Sequence, residues 1–79
     1  MYYVYVLKSQ KDEGWYIGST RDIHQRLLSH NKGRVKSTKL RKPFVLIYSE
    51  KFNTRGEAEK AEKYYKSGAG RIKLKKSNK

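Results

Sequence analysis

Residues 2–7 read YYVYVL, a run of β-branched and aromatic side chains with no polar face. Such side chains favour extended backbone, and a strand sends successive side chains to opposite faces. Both faces of this run are apolar, so it predicts a central strand that must be covered on each side. The demand is severe in a chain of 79 residues, because a domain this small hides only about 60% of the surface its unfolded chain exposes. One Trp, two Phe and seven Tyr supply much of the large apolar surface. Tyrosine suits a thin core because its ring can be buried while its hydroxyl finds a partner.

The remaining elements follow from spacing. SQKDEG turns the chain, and residues 15–19, WYIGS, predict a second strand antiparallel to the first, with Gly18 allowing a close backbone approach. Thr20 is placed to cap a helix and Asp22 favours its first turn, so residues 21–31 are expected to be helical, with Ile23 and Leu27 inward and Gly33 near the C-cap. Pro43 marks a boundary. Residues 44–50 alternate as a third strand. Thr54 and Glu57 have capping-box spacing, opening a helix that runs to about Lys66 and stops before Gly68. The order β-β-α-β-α describes an α/β chain of the α+β kind: a small three-stranded antiparallel sheet flanked by helices.

Charge narrows the function. Twenty Lys and Arg against seven Asp and Glu give a net charge of +13, which attracts polyanions strongly. The charge is uneven: residues 31–42 hold six basic side chains (Lys32, Arg34, Lys36, Lys39, Arg41 and Lys42) and no acidic one. Such a segment is a candidate clamp on a phosphate backbone, with little base readout because no recognisable reading helix or zinc finger accompanies it. A membrane role usually needs a lipid motif or a basic helix with a strong apolar face, and neither is found. No apolar run has transmembrane length, and MYYVYVLK does not read as a secretory signal. The absence of cysteine excludes thiolate metal sites and agrees with a reducing, cytoplasmic setting, nucleoid association included. The domain is expected over residues 1–70, with 71–79 a basic tail that frays.

Glu62 stands out. On a helical projection Ala58, Ala61 and Tyr65 form the inward stripe and Glu62 falls inside it. A carboxylate there costs several kcal/mol if desolvated alone, so it must pair with a cation, reach solvent at a sheet edge, or bind a metal. In the first helix Asp22, Arg26 and His30 share a face at i, i+4 and i+8. Taken alone, Asp22 with Arg26 is an ordinary helix ion pair, and His30 is a polar residue near a helix C-terminus, where a cation is favoured.

Together these residues form a pattern. Tyr3-Val4-Tyr5, the triplet Tyr16-Ile17-Gly18, Arg26 and His30 as RxxxH, and Glu57-Ala58 leading to Glu62 resemble the GIY-YIG nuclease superfamily, most closely its small standalone branch related to the nuclease domain of the bacterial excinuclease. The resemblance covers about residues 2–68. Tyr3 stands where the family name has Gly. Larger members also carry a late Asn that supports the site, a role not assigned here to Asn78. The resemblance implies hydrolysis of phosphodiesters at a single divalent metal, Mg²⁺ or Mn²⁺. Glu62 would be its protein ligand, since a hard ion that keeps several waters needs few carboxylates. Arg26 would grip the nonbridging oxygens, and Tyr5 and Tyr16 would flank the attacking water, one of them as base or positioning group. Nearby positive charge is expected to lower a Tyr pKa from its ordinary value of about 10. His30 would contact phosphate or share the base role.

Three functions fit. The first is an endonuclease acting on DNA, with RNA left open and a protein partner available for targeting. The second is a nucleic-acid-binding module with the same fold and little or no cleavage. The third is a small basic structural protein whose motif residues are packing.

Overall fold

The computed structural model describes residues 1–77 and contains β1 (Tyr2–Ser9), β2 (Trp15–Thr20), α1 (Ile23–Asn31), a single 3-10 turn (Lys39–Arg41), β3 (Phe44–Phe52), α2 (Arg55–Lys66) and α3 (Gly68–Ser77). The strands form one antiparallel sheet in the order β2-β1-β3. The run YYVYVL is thus the central strand, and Val4, Val6 and Leu7 are wholly buried. Burying a side chain of this size contributes about 1.5–3 kcal/mol.

The pleat sorts the core into two layers. Val4 and Val6 of β1 and Ile17 of β2 pack against Ala58 and Tyr65 of α2 and Leu74 of α3. Tyr5 and Leu7, with Tyr16 of β2, face the other way, toward Ile23 and Leu27 of α1 and Phe44 of β3. The sheet therefore carries α1 on one face and α2 with α3 on the other, the three-stranded α+β arrangement expected.

Local chemistry explains most boundaries. Ser9 organises the β1–β2 turn: its Oγ accepts from the N–H groups of Lys11 and Asp12 and donates to the Arg41 carbonyl. The Thr54–Glu57 capping box forms as its spacing predicts, with each side chain bonded to the other residue's N–H. Gly33 takes a positive φ of 75° just past α1, as a left-handed C′ residue does.

Two expectations need correction. Helix α1 is capped by Asp22, whose side chain accepts from Gln25 N–H, while Thr20 accepts from Asp22 N–H one step outside the helix. The segment expected to fray is instead α3, with Leu74 only 2% exposed. Ser67 ends α2 in an extended conformation and caps α3, its Oγ accepting from Gly70 N–H. A side chain at Gly70 would collide with the Tyr64 carbonyl, so the glycine lets the two helices touch. Asn78 and Lys79 lie outside the described residues.

Candidate active site

Tyr5 pairs with Gly18 across β1 and β2, and its ring passes over that glycine. A Cβ built on Gly18 would lie 2.7 Å from Tyr5 Oη and 2.9 Å from Cζ. The close approach expected at this position is made by the tyrosine's own hydroxyl end. Helix α1 then brings two side chains to that hydroxyl: Arg26 donates from Nε at 3.3 Å, and His30 Nε2 lies at 3.2 Å. The other imidazole nitrogen, Nδ1, lies 2.8 Å from the Thr38 hydroxyl. Tyr16 completes the group, its ring centroid 6.3 Å from that of Tyr5 and 4.8 Å from that of His30.

Burial governs the protonation of this cluster. Tyr5 is 2% exposed, and its pKa is raised: desolvation outweighs the opposing hydrogen bond and charge of Arg26. The expected lowering by cationic surroundings therefore gives way to a neutral phenol. His30 is wholly buried, and its pKa is lowered, first by burial and then by the Arg26 charge. It is a neutral imidazole at pH 7, not a cation at a helix end. Asp22 caps the helix instead of pairing with Arg26, which bonds Tyr5.

Glu62 lies in the other layer. One carboxylate oxygen accepts from Ser19 Oγ at 2.8 Å, and the other accepts from Lys66 Nζ at 2.7 Å. Ser19 follows Gly18 on β2, an outer strand of the sheet, and its side chain alternates with that of Gly18. Tyr5 thus reaches residue 18 from the α1 face, and Glu62 reaches residue 19 from the α2 face. The Glu62 charge is near enough to push the Tyr5 pKa upward. The inward stripe is real, since Ala58 and Tyr65 are buried and Ala61 packs with them. Its facing residues are Val4, Val6 and Ile17 rather than the tyrosine cluster, and the carboxylate meets both of the simpler expectations, reaching solvent in part and pairing with Lys66 one turn along.

The donor set suits a hard cation that keeps its own waters. Among the described residues no group of three or more His, Cys, Asp or Glu could cage a metal. Glu62 nonetheless offers a part-exposed carboxylate, side chain 22% accessible, oriented by Ser19 and already neutralised by the compact Lys66 ammonium. Mg²⁺ is typically held by one or two carboxylates plus water and phosphate.

Of the basic segment, Lys32, Arg34, Lys36, Lys39 and Lys42 are exposed. Arg41 is not free for a phosphate: it donates from Nε to Asp12 at 2.8 Å and lies over the Phe44 ring. That contact depresses the Asp12 pKa to about 2, the Arg41 hydrogen bond being the largest cause. The segment is closed at its base by Asn31, whose side chain bonds both the N–H and the carbonyl of Phe44. Sequence reasoning missed Ser19, Thr38 and Lys66. Lys66 was findable as the i+4 partner of Glu62; Thr38 carries no periodic signal.

The arrangement has relatives. The GIY-YIG catalytic domain model matches residues 1–78. UPF0213 protein YazA of Bacillus subtilis is 47% identical over 66 residues, spanning 82% of this chain and 66% of that protein. UPF0213 protein SSP2268 of Staphylococcus saprophyticus is 41% identical over 75 residues, spanning 94% of this chain and 90% of its own. The solution NMR structure of UPF0213 protein BH0048 from Bacillus halodurans aligns with a TM-score of 0.56 at 35% identity, covering 94% of this chain and 82% of that one. With nearly its whole length matched, and YIG set against Tyr5 across the sheet, this chain belongs to the GIY-YIG catalytic-domain family.

Proposed function

We propose that this chain is a divalent-metal-dependent endonuclease that hydrolyses DNA phosphodiester bonds, directed by backbone or structure more than by base sequence. The observation that supports it most is the Arg26–Tyr5–His30 hydrogen-bond chain over Gly18, with Glu62 at the neighbouring residue of the same outer strand. A merely structural tyrosine does not need a guanidinium on one side and a neutral imidazole on the other.

The residues divide the work. Arg26 spends Nε on Tyr5 and keeps its terminal nitrogens for the nonbridging phosphate oxygens, where a planar fork matches the geometry. Tyr5 takes a proton from the attacking water at Oη as its own proton passes to His30 Nε2, so a neutral phenol acts as base without first ionising. The water oxygen bonds to phosphorus as the bond to the leaving oxygen breaks; the leaving oxygen takes a proton from solvent, and His30 returns its proton to solvent to complete the cycle. Tyr16 bounds the space beside this pair and orients the water. Glu62, held by Ser19, is the residue that would bind the ion. A bound Mg²⁺ or Mn²⁺ supplies charge neutralisation at the leaving oxygen. The exposed Lys32, Arg34, Lys36, Lys39 and Lys42 hold the strand by its phosphates.

The Lys66 ammonium on Glu62 favours a second reading, a binding module that cuts little or not at all. A nicking assay separates the two. Supercoiled DNA is incubated with Mg²⁺ or Mn²⁺, with EDTA, and with folded Arg26→Ala and Glu62→Ala variants. Metal-dependent nicking lost in both variants is expected; nicking that survives either substitution would remove the site, and tight binding without nicking would establish the module.

A further inference from the structure

The hydrogen-bond chain through Tyr5 continues past His30. Thr38, wholly buried, lies 2.8 Å from His30 Nδ1 and donates its own hydroxyl proton to the Val35 carbonyl at 3.4 Å. Arg26 can only donate, so Tyr5 accepts from its Nε, and the Tyr5 proton has His30 Nε2 as its one acceptor among the described residues. A neutral ring with Nε2 bare carries its proton on Nδ1, which donates to the Thr38 hydroxyl, and Thr38 in turn points its own proton to the Val35 carbonyl.

We propose that Thr38 is a positioning residue that holds His30 in the Nδ1–H tautomer, so that Nε2 is free to receive the Tyr5 proton. Without the hydroxyl, no group among the described residues rewards a proton on the Nδ1 side: the other rings packed on the imidazole are those of Tyr16 and Phe44. The opposite tautomer would aim an N–H at Tyr5 and leave the phenol no acceptor. Thr38 lies between Lys36 and Lys39 in the basic segment, so the loop proposed to hold phosphate also holds the tautomer. A hydrogen bond on the far nitrogen setting the role of the near one is an established way to orient histidine.

The tautomer is measurable without DNA or metal, by ¹⁵N NMR of the His30 ring at a pH where it is neutral. The wild-type chain is expected to show protonated Nδ1 and bare Nε2. Thr38→Val, which keeps the shape and removes the hydroxyl, is expected to shift the population toward Nε2–H; Thr38→Ser is expected to retain the wild-type pattern. Wild-type protein with Nε2 protonated overturns the proposal even if the valine variant does not fold, as does a valine variant with an unchanged tautomer. The activity arm alone rests on the nuclease reading: Thr38→Val is expected to lower kcat by about tenfold to a hundredfold, the range by which losing the partner behind a metal-bound histidine acts, with Thr38→Ser restoring it. A shifted tautomer with unchanged kcat overturns the positioning role, whereas absence of cleavage in wild-type protein with the tautomer as stated overturns the nuclease reading only.

Discussion

The Tyr5 hydroxyl occupies the place where a side chain at Gly18 would begin, with the virtual Cβ 2.7 Å from Oη and 2.9 Å from Cζ. Because Tyr5 is buried and bonded to both Arg26 and His30, it cannot swing aside cheaply. Gly18→Ala should destabilise the fold by about 1–3 kcal/mol, as overpacking typically does, and should misplace the hydroxyl enough to lower cleavage at least about tenfold. Adding Tyr5→Phe should not restore stability, since the ring carbon Cζ still collides. Urea unfolding and single-turnover cleavage measure the two effects; wild-type values for Gly18→Ala would show that room exists.

Lys66 competes with any cation for Glu62 Oε2, its Nζ standing 2.7 Å away. An exposed i,i+4 ion pair contributes only about 0.3–0.5 kcal/mol, so Lys66→Met should stay folded while exposing the carboxylate. Mn²⁺ affinity measured by calorimetry or paramagnetic broadening should rise about threefold or more, the direction that removing a nearby like charge requires. Glu62→Gln should abolish binding at that site. Weaker Mn²⁺ binding by Lys66→Met would mean that the lysine orients the carboxylate instead of screening it.

What was legible in the chain was local. YYVYVL announced a strand covered on both faces because each of its side chains is apolar, and Thr54 with Glu57 announced a helix start because the box satisfies its N–H groups within four residues. The positions that misled depend on distant partners. Thr20 and Asp22 are equally good caps on paper, and in the fold β2 runs through Thr20, which leaves Asp22 as the cap. A helical projection shows that Glu62 shares the inward stripe, yet it does not tell which face of the sheet that stripe meets. Gly68 does mark the end of α2, which stops at Lys66 as expected, but glycine usually ends helices and nothing local shows that a further helix follows, in which Gly70 is needed for contact with Tyr64. Thr38 is one polar residue in a basic loop, and its meaning exists only beside His30.

His30 should make stability fall in mild acid. Its folded pKa lies below the ordinary 6.5, so the unfolded chain binds the proton more readily, and linkage lowers stability as pH drops below about 6.5 and on through the folded value. Protonation also removes the acceptor for Tyr5, so cleavage should decline over the same range. His30→Gln should flatten the stability profile there. Asp12 gives a second, lower window: its pKa of about 2 in place of 3.8 contributes stability above pH 4 that is lost as pH falls toward 2. Asp12→Asn should remove that step; thermal melts across pH distinguish the windows, and a flat wild-type profile between pH 7 and 5 would contradict the buried neutral imidazole.

Arg41 and Lys39 lie two residues apart in the basic segment and should behave differently. Lys39 is exposed, and Arg41 is spent on Asp12 and the Phe44 ring. Lys39→Ala should therefore weaken DNA binding and reduce the slope of log affinity against log salt by about 0.9, the value for one phosphate contact on duplex DNA, with the melting temperature unchanged. Arg41→Ala should lower the melting temperature and leave the slope near that of wild type. Equal slope changes in the two variants would return Arg41 to the binding surface.

Leu74 tests whether α3 is part of the folded unit. It is 2% exposed and packs in the same cluster as Val4, Val6, Ile17, Ala58 and Tyr65, so it closes the layer that holds α2 against the sheet. Replacing a buried leucine by alanine costs about 2–5 kcal/mol, a large part of the stability available to so small a core. Leu74→Ala should thus lower the urea midpoint sharply, whereas Ile72→Ser, at a position 58% exposed, should change it little. Because α2 carries Glu62, loosening its outer support should also weaken metal binding before it disturbs the Tyr5–His30 contact, which rests on α1 in the opposite layer. A Leu74→Ala protein as stable as wild type would mean that the basic C-terminal segment adds charge and no packing, and would restore the boundary near residue 70 that the composition suggests.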